Sequence, residues 1–132
     1  MTFDIEKTIA YWVEGAGYDL ETGRSLLAAA RNPHALFFGH LALEKMLKAH
    51  VVRATGQHAP FTHSLPMLAA KLELGLSEKQ RTLLAEVSEF HLEARYPDQK
   101  GDFYKRCTPV FTRRKFKATE EMLQWLGSKL QR

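Results

Sequence analysis

The sequence predicts an all-α fold, a five-helix up-and-down bundle made of a four-helix core and one short helix, and three observations carry that prediction. Apolar residues recur at steps of three and four along most of the chain, and no run alternates as a strand would. The periodic segments are divided by brief clusters of Gly, Pro, Asn and Asp. Those connections are short, which favours antiparallel neighbours. At 132 residues the chain makes one domain, over 1–132, with a core that needs no staple.

The first helix spans about Asp4 to Ala30, with Ile5, Ile9, Trp12, Ala16, Leu20 and Leu27 on one face. Gly15, Gly17 and Gly23 each cost roughly 1 kcal/mol against Ala, so packing must hold this helix or it bends. "RNPH" at 31–34 breaks the chain, because Pro restricts the residue before it and is well tolerated at a helix start. The second helix runs from about Pro33 to Ala54 and ends near Gly56. A loop, "GQHAPFTHS", leads to a short third helix from about Leu65 to Leu74, stopped by Gly75. Ser77 and Gln80 form a capping box for a fourth helix carrying Leu83, Leu84, Val87 and Phe90. "RYPDQKGD" at 95–102 reads as turn and loop. Thr108 as cap and Pro109 at the first position open the last helix, with Phe111, Thr119, Met122, Leu126 and Leu130 on one face.

Several classes of protein are excluded. No apolar run approaches the roughly 20 residues needed to span a bilayer. The first residues, "MTFDIEKTIAYW", lack the basic and then apolar segments of a signal peptide. The one cysteine, Cys107, forbids an internal disulfide and fits a reducing compartment, so a cytoplasmic address is expected. A net charge of +4 invites a nucleic-acid reading. The segment Lys100 to Lys117 concentrates Lys and Arg against a single acid, Asp102, with Phe and Tyr interleaved. Such a stripe could meet phosphates or an acidic partner, or could be a solvated helix face.

The second helix carries the informative anomaly. Four residues advance only about 40° around a helix, so His40, Glu44 and Lys48 lie along one stripe, embedded among Leu36, Phe37, Leu47 and Val51. An unpaired charge in such an arc is very costly, so each must be paired, at an edge, or neutral. Glu44 and Lys48 stand in the favourable order for an intrahelical pair. His40 and Glu44 could also be two metal ligands, but no other His-rich motif completes a site and no metal is expected. A third reading is a polar cluster at the mouth of a groove, completed by His63, Arg95, Tyr96 and Asp98 from distant segments.

These residues carry a resemblance. "FFGHLALEKMLKA", then "FTHSLPML", then "ARYPD" resembles the HEPN family, the higher-eukaryote and prokaryote nucleotide-binding domains. The matching positions are Ala42, Glu44, Lys45, Leu47, Lys48 and Ala49, then Thr62, His63, Leu65 and Leu68, and the order holds from about Ile5 to Leu130. The resemblance implies a helical bundle that forms homodimers and partners a minimal nucleotidyltransferase, often as a toxin–antitoxin pair. Nucleotide or RNA is the implied ligand, no cofactor is expected, and no membrane partner is implied.

The family's ribonucleases carry an Arg followed, after four to six residues, by a His. Arg95 fits the first position, but Lys100, Gly101 and Asp102 stand where the His belongs, so no catalytic residue is assigned. "RATGQH", Arg53 to His58, has the spacing but leaves the second helix and reads as coincidence. The leading expectation is a binding protein in which Arg95, Lys48 and Lys45 offer cations to phosphate and Tyr96 stacks on a base. Arg95 could equally cap Glu44 and close a buried salt-bridge network. His63 reads as a helix-start residue that satisfies backbone groups. The alternatives are a ribonuclease using Arg95 with His91, His58 or His63, and a purely structural dimerisation partner.

Overall fold

A computed structural model describes the backbone from 3 to 130, and side chains over that range except at 97–100. Among the described residues there are six helices: α1 Ile5–Ala28, α2 Asn32–Thr55, α3 Leu65–Ala69, α4 Glu78–Glu93, α5 Pro97–Arg106 and α6 Pro109–Lys129.

The boundaries follow from local chemistry. Asp4 caps α1 by accepting from the Lys7 N–H, and Ser77 with Gln80 closes both arms of the capping box on α4. Thr108 accepts from the Phe111 N–H with Pro109 directly after it. Gly56 ends α2 in the left-handed region at φ 67, where a side chain would be strained.

Contact register fixes the direction of each helix. Along α1 and α2, Glu6 meets Arg53, Trp12 lies under Lys48, Asp19 meets Lys45 and Gly23 faces Ala35, so the two run antiparallel. Between α4 and α6, Glu86 meets Lys115 and Phe90 meets Phe111, again antiparallel. Gly39 faces Thr119 and Met46 faces Gly127, so α2 and α6 run the same way. The order α1, α2, α4, α6 therefore alternates up and down, as the sequence predicts.

The α2 helix sits at the centre and buries Leu36, Leu43, Leu47, Val51 and Val52 against α1, α4 and α6. Each such side chain contributes roughly 1.5–3 kcal/mol on burial. The glycine that most threatens α1, Gly23, has a packing reason. A Cβ there would stand 2.8 Å from the Phe116 ring, so the absent side chain lets α6 approach.

Two element expectations are corrected. The stretch 95–102 is not all loop, because α5 begins at Pro97 and continues to Arg106. Pro at the first turn costs a helix nothing, and Phe103, 0 % exposed, anchors α5 against Phe90. The third helix ends at Ala69 rather than near Leu74, since only Leu65 and Leu68 find burial on it. Cys107 caps α5 and is buried, which pushes its thiol up to about 11 and keeps it protonated.

Candidate functional site

The polar stripe of α2 is buried: His40 is 0 %, Glu44 5 % and Lys48 6 % exposed. Glu44 organises it. Its Oε2 accepts from Lys48 Nζ at 3.0 Å and its Oε1 from His63 Nδ1 at 2.9 Å. Lys48 also lies 5.3 Å from the centre of the Trp12 ring, a cation–π contact from α1. His40 Nε2 reaches the His63 carbonyl at 2.9 Å. A carbonyl only accepts, so Nε2 carries the proton and Nδ1 keeps a bare lone pair. That Nδ1 is buried and has no partner among the described residues.

The cluster continues onto α4. The His63 ring stacks on His91 with centroids 4.1 Å apart, and His40 and Phe37 approach His91 at 5.2 and 6.0 Å. Arg95 Nη1 donates to His91 Nε2 at 2.8 Å. A continuous path therefore joins buried Glu44 to exposed Arg95 through His63 and His91.

Electrostatics sets the protonation of this path. Burial pushes the Glu44 carboxyl up, but the hydrogen bonds from His63 and Lys48 outweigh it and hold the carboxyl below its ordinary value. Burial pushes His40 down, against the opposing pull of the His63 carbonyl and Glu44. Burial, with the electrostatic influence of the neighbouring His63, His40 and Arg95 side chains, lowers His91 to about 4. His91 is thus a neutral acceptor, as the bond from Arg95 requires.

The sequence candidates separate into three groups. His63, Arg95 and Tyr96 come to one exposed edge: the His63 side chain is 56 % exposed, and Tyr96 is half exposed. Lys48 is turned inward to Glu44, and Lys45 pairs with Asp19 of α1 at 2.7 Å. The side chain of Asp98 lies outside the described residues. His58 packs on Phe3 instead of joining the cluster.

Two specific expectations are corrected. Arg95 does not cap Glu44; Lys48 and His63 occupy the carboxylate, and Arg95 turns to His91 on its own helix end. His63 does not satisfy backbone groups with its ring. Its neighbours do, Thr62 accepting from the Ser64 N–H and Ser64 from the Met67 N–H.

Two cations of the basic segment have carboxylate partners. Arg106 bonds Glu93 at 2.8 Å and Lys115 bonds Glu86 at 2.6 Å. A broad groove of about 1080 Å³ between α4 and α6 has a floor including Leu83, Met122 and Trp125, and its walls carry both signs. Arg114, Lys115 and Lys117 of the basic segment line it, whereas His40, Glu44, Lys45, Lys48, His63, Arg95 and Tyr96 do not. Sequence reasoning did not single out Phe61, Met67 and Leu92, large apolar side chains that are exposed. The available signal was a Phe placed in the loop "PFTHS".

Fold and site define a small helical-bundle domain whose central helix holds a buried carboxylate, wired through two imidazoles to a surface guanidinium. The HEPN domain model matches residues 9–130, and the chain belongs to that family. Its fold is similar to that in the crystal structure of TT1696 from Thermus thermophilus, at 23% sequence identity and a TM-score of 0.79. That likeness covers 92% of this chain and 98% of the other. No curated protein matches the chain.

Proposed function

We propose that this HEPN-domain protein binds nucleotide or phosphate at the Arg95 edge and acts as the partner of a minimal nucleotidyltransferase, in a pair of toxin–antitoxin type. The observation that carries the binding reading is the state of Arg95. Among the described residues its guanidinium has no carboxylate partner, while His91 takes one N–H and steadies the group. The remaining N–H donors are open to an anion in the fork geometry that suits phosphate. Tyr96 supplies an adjacent exposed ring on which a base can stack. Lys48 and Lys45 are spent on Glu44 and Asp19, so the binding set narrows to Arg95, Tyr96 and His63. The exposed apolar side chains of Phe61, Met67 and Leu92 are available to a protein contact, with a second copy or with the nucleotidyltransferase. A cytoplasmic address goes with this reading.

A second reading, a ribonuclease, is favoured by one specific arrangement. His63 and His91 stand beside Arg95, although the chain lacks the His expected after that arginine.

Calorimetric titration of ATP, GTP and a short RNA into the protein tests the binding reading. Saturable binding that disappears in folded Arg95→Ala is the expected result. Absence of binding by the unmodified protein overturns it.

A further inference from the structure

We propose that the groove between α4 and α6 takes α6 of a second copy of this chain, the two α6 helices running antiparallel about Ala118. The interface is two-fold and lies apart from the Arg95 edge, so it does not depend on the phosphate reading.

The groove has the shape of a helix seat. Its α6 wall runs from Arg114 to Trp125, about three turns and roughly 16 Å, over a floor that includes Leu83 and Met122. Along α6 the residues Phe111, Ala118 and Trp125 stand seven apart, a spacing that keeps them on one face. Val110, 65 % exposed, carries that apolar stripe on toward the start of the helix. Trp and Arg are residue types that anchor interfaces, and this face holds both.

Charge selects the occupant. Lys115 is already matched to Glu86 across the groove. Among the described residues Arg114 and Glu121 have no ion-pair partner, and Arg114 rests on the Phe111 ring at 5.9 Å. One end of the groove is therefore left basic by Arg114 and Lys117, while the end beside Trp125 sets Glu78 and Glu121 against Lys79. That polarity is self-complementary. In a two-fold interface the same patch faces itself reversed, so the acidic end of one copy lies over the basic end of the other.

The register follows from the position of the axis. With the two-fold beside Ala118, Trp125 lies level with Phe111 of the second copy, because each is seven residues from the crossing. Glu121 comes level with Arg114 of the second copy to within one residue, and the two project on the same side of the helix pair. The crossing residue is an alanine, whose single methyl lets two helix axes approach closely.

Sedimentation velocity over a concentration series tests this on the full chain, with Arg114→Glu, Glu121→Arg and the double variant. The unmodified chain is expected to dimerise. Each single variant should raise the dimer dissociation constant by roughly tenfold or more, since two like-charge contacts replace two attractions. The double variant, which restores the pair with its signs exchanged, should recover the affinity. Both positions are exposed, and circular dichroism checks that the variants fold. Ala118→Cys reads the contact independently: Cys107 is buried, so under a mild oxidant the new thiol should link two copies. A monomer at every concentration overturns the proposal and leaves the groove to a helix of another protein. Unchanged affinity in both single variants overturns it by placing the contact between copies elsewhere, the Arg95 edge included. A double variant no stronger than the singles, or an Ala118→Cys dimer that does not cross-link, overturns it as well.

Discussion

The stripe His40–Glu44–Lys48 on α2 and the pair Arg95–Tyr96 after α4 are linked through two imidazoles, yet they hold charge under opposite conditions. In the stripe, Glu44 and Lys48 are almost wholly buried and every charge is matched at hydrogen-bond distance. At the pair, the guanidinium is exposed and, among the described residues, leans only on a neutral ring. Desolvation explains the contrast. Removing a charge from water is tolerable only with a partner in place, whereas an exposed cation stays solvated without one. Buried charge here organises the site, and exposed charge is what a ligand can use.

The largest expected effect breaks the first half of that comparison. Glu44→Ala leaves Lys48 buried without its partner and His63 unheld, and should destabilise the fold by roughly 3–5 kcal/mol. Arg95→Ala should stay within about 0.5 kcal/mol of the unmodified protein, as surface changes do. Urea denaturation of both variants measures the difference, and equal losses would erase the distinction between the two regions.

Acid should destabilise the fold around both regions. His40, His50 and His91 all sit below the ordinary value of 6.5, with burial the leading cause in each. The unfolded chain therefore takes up protons that the folded chain refuses, so this contribution is fully present above 6.5 and is lost as the pH falls. For His91 the loss continues to about 4. Glu44, held below its ordinary 4.5, acts in the same direction in more acid solution. Denaturation midpoints measured down the series from neutral pH should fall steadily, and a flat profile would mean that these histidines are not held neutral.

The smallest effect isolates a helix from the site altogether. Ser77→Ala removes one arm of the capping box at the far end of α4 from Arg95 and should cost about 1 kcal/mol. Nucleotide binding at Arg95 should be unchanged, and a change in calorimetric affinity would show that α4 transmits its end effects to the site.

Much of the fold was legible because helices are specified locally. The three-and-four spacing marked α1, α2, α4 and α6, and Ser77, Thr108 and Gly56 marked ends that side-chain hydrogen bonds or a left-handed turn require. The α5 helix was not legible. Pro97 and Gly101 argue locally for a turn, and only the burial of Phe103 against Phe90 outweighs them. The spacing of His40, Glu44 and Lys48 announced a site, and Glu44–Lys48 could be paired by counting. The Lys45–Asp19 pair could not, since it depends on which face of α1 meets α2.

By itself, then, the sequence determined the helical class, the caps and the presence of charge inside the central helix, because each follows from residues within a turn or two of one another. Tertiary structure alone decided that Glu44 belongs to His63 and that His63 stacks on His91. Those choices depend on where α3 and α4 come to rest against α2, and burial then makes a mismatched charge too costly to keep.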